Sequence, residues 1–275
     1  MARTFTQNIA NYCDLNVGTL GALVNGVSSL TVAAWVKPAT LTAGTNVNRI
    51  LCLIVNSNSS GLVLMISGSP VKVELGARSQ SGDAFGKATG ATTVSTGSWV
   101  HVAGTVNYSS PNITVYLNGT SDGTATPTFG ASTLTIGTPT APDMIGAFSS
   151  VYPVTTNAGF QFDGDIAEVG LWDTALSAAE IAALAKGVPP SRVRSRRLCA
   201  YYPLQTDGTT VPNRVGSTAL GTVTGSIPIA AHAPVSPWFG ESIDWPPYAV
   251  SAAPSTTTYF FWHGYAEESL DVLTY

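Results

Sequence analysis

"FDGDIAEVGLWDTALSAAEI", residues 162–181, decides how this chain is read. It places Asp163, Asp165, Glu168 and Asp173 within eleven residues of a protein in which only 10% of 275 residues are charged. That is less than half the ~25% usual in globular proteins. The carboxylates are a catalytic set, a metal site or the polar edge of a structural element. The second half of the stretch explains itself locally. Ser177 stands as an N-cap with Glu180 three residues on, a capping box, and Leu176 with Ile181 forms a hydrophobic staple. Ile181, Leu184 and Ala185 share one face, and Gly187 followed by Pro189 and Pro190 stops the helix. A strand turning into a short capped helix is therefore predicted, with Val169 and Leu171 facing a core and the carboxylates at wet ends.

Outward from this stretch, short apolar or alternating runs recur between turn residues. "SLTVAAWVKP", "RILCLIV", "GLVLMIS", "VKVELGA", "WVHVAGTV", "ITVYLNG" and "TLTIG" read as strands. Asn118-Gly119 and Asp122-Gly123 supply positive φ for tight turns after "ITVYL". No second segment has helical character. With 44% hydrophobic residues, 27 Gly and 17 Pro, the chain suits one large all-β core with many turns. No run of 18 apolar residues suggests a membrane span, and "MARTFTQNIANYCDL" lacks the apolar centre of a Sec-type signal. A net charge of -4 gives no electrostatic basis for nucleic acid as a partner. Cys13, Cys52 and Cys199 lack metal-ligand spacing and read as small apolar residues, with one Cys13–Cys199 disulfide left open.

Beyond the helix, Arg192, Arg194, Arg196 and Arg197 make either a solvated linker or a dock for an acidic surface. "LCAYYPL", residues 198–204, reads as a further strand. From about Ala233 the chain is rich in Pro and aromatics, so residues 233–275 are expected to form an extended arm behind a domain of residues 1–232.

Taken in order, "NYCDL", "SLTVAAWVKP", "GSWVHVAGTV", "VYLNG" and "FDGDIAEVGLWDTALSAAEI" resemble laminin-G-like and pentraxin-like domains of the concanavalin A-like lectin/glucanase superfamily. The resemblance covers roughly residues 4–187. It implies an all-β jelly roll: two antiparallel sheets face to face, with one short helix after the last core strand. "LCAYYPLQTDGTT" also resembles a strand of this family, one that there comes first. The domain is then permuted, with strand 198–204 completing it in cis or from a neighbouring subunit, or a truncated second copy begins here. Trp35, Trp99 and Trp172 match positions that pack in or against the core of this family.

Asp163, Asp165 and Glu168 spell D-x-D-x-x-E, similar to the E-x-D-x-x-E strand of laminarinase-type hydrolases. A retaining glycosidase needs its two carboxyl groups ~5–5.5 Å apart. On a regular strand Asp163 and Glu168 lie roughly 16 Å apart and on opposite faces. No catalytic set is expected. Gly119-Thr120-Ser121-Asp122-Gly123 fits G-x-S-x-G, but no helix can follow it and it reads as a turn. His101, His232 and His263 are scattered, and His101 reads as a surface or satisfied strand histidine. The pentraxin resemblance implies calcium ligands shortly before residue 162, where "IGTPTAPDMIGAFSS" offers only Asp143. Calcium takes six to eight oxygens, so no metal and no cofactor is expected; Asp14, Asp143 and Asp163 are left as single-site candidates. Tyr108, Phe129, Phe148 and Tyr152 are placed for a sugar platform or for covering sheet edges.

Three functions follow from the resemblance and the arm. The first is a non-catalytic structural protein, a lectin-like jelly roll carried on a larger assembly such as a bacteriophage virion, as a capsid decoration or tail component. The second is a glycan-binding adhesin module at an extracellular surface, and the third, a distant one, is a glycoside hydrolase. The arm places five aromatics in "YFFWHGY", residues 259–265. Tyr259, Phe260, Phe261 and Trp262 are expected to anchor it on a protein partner or in self-association, because aromatics that bury ~150–250 Å² each are costly to leave in water.

Overall fold

The computed structural model describes residues 2–7, 11–45, 47–54, 61–139, 141–149, 160–206, 208–216, 220–235, 259–260 and 272–273. Strands β1 (Ala2–Phe5) and β2 (Tyr12–Val17) lead into helix α1 (Thr19–Val24). Then come β3 (Ser29–Thr40), β4 (Arg49–Ile54), β5 (Gly61–Ser67), β6 (Lys72–Arg78), β7 (Gly86–Thr93), β8 (Val100–Asn107) and β9 (Asn112–Leu117). After β10 (Thr120–Ala125) and β11 (Pro142–Ile145), the stretch that opened the argument supplies β12 (Asp163–Trp172) and α2 (Ala178–Ala185). Two 3₁₀ turns, Pro190–Arg192 and Ser195–Arg197, precede β13 (Leu198–Tyr202). The short strands β14 (Thr210–Val211), β15 (Gly221–Thr224) and β16 (Ile229–Ala230) follow.

These strands form two antiparallel eight-stranded sheets. One runs β10-β9-β8-β3-β12-β1-β16, with β13 also on β12; the other runs β14-β15-β2-β11-β4-β5-β6-β7. Period-2 patterning builds the core between them. Leu30, Val32, Ala34 and Val36 of β3 meet Leu62, Leu64 and Ile66 of β5 and Val73, Leu75 and Ala77 of β6, all nearly fully buried. Each such Val, Leu or Ile contributes about 1.5–3 kcal/mol by leaving water. The all-β sandwich expected from the sequence is the fold observed, and Val169 and Leu171 face its core.

Other expectations are corrected. α1 is a second helix, six residues long. "TLTIG" is not a strand, although Leu134 bridges backbone groups of Gly26 and Val27 and is fully buried. Asn118 (φ 50°) and Gly119 (φ 83°) make the tight β9–β10 turn, as Asn-Gly favours. Asp122-Gly123 instead sits at a bulge within β10, where Asp122 accepts from Thr92 N and Oγ1 on β7. All three cysteines are free. Burial pushes the Cys13 thiol up to about 12 and the Cys52 thiol to about 11.

The outer face of the first sheet carries two covers. α2 lays Ile181 and Leu184 over Ala33, Ala103, Tyr116, Trp172 and Tyr201. Its capping box is formed: Ser177 N donates to Glu180 Oε2 (2.7 Å) and Glu180 N to Ser177 Oγ (3.3 Å). The segment after β16 covers the other half, with Ala233 and Val235 against Ala2, Trp35 and Ala167. That packing extends the body to Ser236, past the expected boundary at 232; residues 237–275 form a second unit. Within this unit β17 (Tyr259–Phe260) pairs antiparallel with β18 (Val272–Leu273). Phe261, Trp262 and His263 lie outside the described residues.

Residues 198–202 pair within the same sandwich as the "NYCDL" strand, and they do so in an unusual place. One edge of β12 pairs with β3 along its length. On the other edge β1 takes the first part (Arg3 opposite Ile166, Phe5 opposite Gly164), and β13 takes the second (Tyr202 opposite Val169, Leu198 opposite Trp172). Two strands from opposite ends of the body thus share one strand position, end to end.

Candidate functional site

The junction of that shared position holds a buried polar network. Between Ala167, opposite Trp35, and Gly170, opposite Ala33, β12 carries an extra residue. Glu168 takes φ 56° there, a region that L-residues seldom adopt. The bulge turns Glu168 to the outer face, the side of Asp163 and Asp165, whereas regular alternation predicts the opposite. Nor is it at a wet end: Glu168 is 2% exposed, in the seam between the two covers.

Every oxygen of that carboxylate is used. Tyr201 Oη donates to Oε2 (2.5 Å), Gln205 Nε2 donates to Oε1 (3.1 Å), and His232 Nε2 lies 3.0 Å from Oε1. His232 Nδ1 lies 2.7 Å from Ala233 O, which only accepts, so that nitrogen carries a proton. Burial first, and the Glu168 charge second, push the Tyr201 phenol well above its usual range, so it stays a donor. Such a network fixes the side chains that take part in it. Asp165 accepts from Thr4 Oγ1 (2.5 Å) and Asp163 from Thr40 Oγ1 (2.5 Å). The D-x-D-x-x-E carboxylates each serve a separate structural contact.

Beside this seam lies a cleft of about 260 Å³ lined by Arg3, Gly208, Thr209, Val223, Gly225, Ser226, Ile227 and Pro228. Its walls are the loops before β14 and after β15. Arg3, 2% exposed on β1, fastens both walls. Its Nη1 donates to Ile227 O (3.0 Å), and its Nη2 donates to Gly208 O (2.6 Å) and to Thr206 O. Asn11 Oδ1 adds a hold by accepting from Ser226 N (3.0 Å). Sequence patterning could not find this cleft, because Arg3 lies more than 200 residues from both loops.

The remaining candidates are placed as follows. Asp143 is buried and accepts from Leu20 N (2.9 Å) and Gly21 N (3.4 Å) at the start of α1. Asp14 accepts from Asn16 N (2.8 Å). Among the described residues no group of three His, Cys, Asp or Glu side chains is arranged to hold a metal ion. Tyr108 is buried and packs on Phe129 at 5.0 Å, so these two belong to the core edge and not to an open platform. Phe148 and Phe160 enclose the Arg49 guanidinium at 3.9 and 4.7 Å; Tyr152 lies outside the described residues. His101 is buried edge-on to Trp35, its Nδ1 without a partner among the described residues, and burial lowers its pKa to about 3. It is neither a surface nor a satisfied histidine. Trp172 is buried with Nε1 on Val193 O (2.8 Å), and Trp99 is half-buried beside Trp35. Arg194 pairs with Glu180 and Arg197 with Asp173 within the body.

Two facing antiparallel sheets, a core made of their inner sides and one capped helix after the last long strand define a lectin-like jelly roll. The family model of the concanavalin A-like lectin/glucanases superfamily matches residues 10–182, more than half of the chain, and the protein belongs to that superfamily. A protein from Bacteroides ovatus assigned a carbohydrate-binding role superposes with a TM-score of 0.60 at 19% identity. That match covers 86% of this chain but only 61% of the other. The heptameric SAP-like pentraxin of Limulus polyphemus gives 0.51 at 18% identity, over 67% of this chain and 81% of its own. The CBM40 of the Ruminococcus gnavus IT-sialidase, bound to α2,3-sialyllactose, gives 0.51 at 16% identity, over 66% of this chain and 97% of its own. No curated protein matches the sequence.

Proposed function

We propose that the protein is a non-catalytic carbohydrate-binding module that acts at an extracellular surface. One observation carries this reading. The sandwich has the architecture of the sialyllactose-bound CBM40 over 97% of that module, while the acidic residues of β12 are consumed by structural hydrogen bonds. The low charge and the exposed Thr and Ser side chains suit a ligand made of hydroxyls. A place on a virion has no counterpart among these relatives, so the glycan-binding reading is preferred over it. The second unit is the means of attachment: Tyr259, Phe260, Phe261 and Trp262 are proposed to anchor the body to a protein partner or to further copies. A glycan array read with the full chain tests the first claim, alongside a reducing-sugar assay on every glycan retained. Binding without product formation is expected. Hydrolysis that disappears in Glu168→Gln would replace the module by an enzyme.

A further inference from the structure

The cleft fastened by Arg3 lies outside the segment matched by the family model, since every lining residue falls before residue 10 or after 182. Four features suit it to a ligand. Its walls are held before anything binds: Arg3 ties Gly208 to Ile227 across the gap, and Asn11 holds Ser226. Fixed walls spare the ordering cost that a floppy site incurs on binding. Thr209 and Ser226 are exposed at its rim, and neither hydroxyl has a hydrogen-bond partner among the described residues. Val223, Ile227 and Pro228 give apolar C–H surface next to those hydroxyls. Gly208 and Gly225, at φ 121° and 79°, carry no side chains, so backbone at these two positions can approach a ligand closely.

The lining mixes polar groups with apolar surface, and a volume near 260 Å³ lies just under the roughly 300–1,000 Å³ typical of small-molecule sites. This limits the occupant to something small. A pyranose has the matching chemistry, with one face of C–H groups and an edge of hydroxyls. We propose that the cleft holds the terminal monosaccharide unit of a glycan, C–H face on Val223 and Pro228, hydroxyls on Thr209 and Ser226. Arg3 acts as a positioning residue for both walls. The proposal rests on the carbohydrate-binding reading and assigns that reading a place.

The test uses the full chain on a printed glycan array, beside the Thr209→Trp and Ser226→Trp variants, which fill the rim from exposed positions. The methyl glycoside of the terminal sugar on the strongest glycan is then titrated into isotope-labelled wild-type protein. Expected results are amide shifts centred on Thr209, Val223 and Ser226, and binding weakened by about tenfold or more, roughly 1.4 kcal/mol, in both variants at unchanged melting temperature. Should a tryptophan variant fail to fold, the wild-type shifts and the milder Ser226→Ala decide. Array binding that survives both tryptophans, with shifts elsewhere, overturns the cleft and leaves the carbohydrate reading standing. A wild-type chain that retains no glycan overturns both.

Discussion

Glu168 shows what a single residue can conceal. Counted along a regular strand it falls opposite Asp163 and Asp165, facing the core or its wet rim. The bulge changes its side, and three partners separated from it by 33 to 64 residues in sequence meet it there. None of those partners is adjacent in sequence, so no local signal could have joined them. Truncating one member of a buried network strands the others. Glu168→Ala is expected to cost about 2–4 kcal/mol in urea unfolding, and Tyr201→Phe about 1 kcal/mol. Asp83 behaves differently because its partners are backbone and hydroxyl donors near solvent. Burial raises its pKa, but hydrogen bonds from Ser79 Oγ, Gly130 N, Ser79 N and Gln80 N outweigh that and hold it below the usual value. A carboxyl depressed in the folded state contributes fully above the ordinary aspartate value of about 3.9 and loses that contribution as pH falls through the folded one. Acid titration followed by amide resonances should therefore show the Gly130 contact intact at pH 5 and lost only below about pH 4; Asp83→Asn should remove that step.

At the scale of elements, legibility followed the range of the interactions. α2 is legible from seven residues because its cap, its staple and its stop all lie within the helix or beside it. β3, β5 and β6 are legible because short, mostly apolar runs bounded by turn residues mark buried strands. α1 was missed: its first amides are taken by Asp143, more than 120 residues away, and nothing local marks a start. β14, β15 and β16 were missed because two to four residues carry too little pattern. The α2 contact with the β9–β10 hairpin gives a sharp test. A Cβ on Gly119 would lie 2.9 Å from Ala185 Cβ and 3.0 Å from Ala182 Cα, at φ 83°. Gly119→Ala is expected to destabilise by roughly 1–2 kcal/mol. Ser177→Ala, which removes only the cap, should cost about 1 kcal/mol. Because both act on how α2 is held, their combination should fall short of the sum, as a double-mutant cycle would detect.

For the whole molecule, the sandwich was legible and the site was not. The fold follows from many short patterns that agree with one another, whereas the cleft depends on one arginine near the start meeting loops near the end. The position of the boundary leads to a paired truncation. Ending the chain after Ser236 removes the second unit and should leave the melting temperature of the body close to that of the full chain, while abolishing assembly through Tyr259–Trp262. Ending it after Ala230 also removes His232, Ala233 and Val235, uncovering Trp35 and leaving Glu168 with one partner fewer. That body should lose several degrees, at ~2–4 °C per kcal/mol for a domain of this size. An equal loss in both truncations would show that the second unit is part of the core, and assembly that survives the first would show that its aromatics are not anchors.

The strand position divided between β1 and β13 also sets an order of events during synthesis. Arg3 is made before its neighbours in the sheet, Ile166 and Ile229, which appear only after most of the body has followed it. Until then the first strand has no edge to join. Once β12 has emerged, its far edge is open along the whole length until β1 returns to one half and β13 arrives for the other. An unpaired edge of this kind invites pairing with a foreign strand, and long-range pairings of this sort form slowly. Closure of the sheet is thus a late step, completed only when both ends of the body are present.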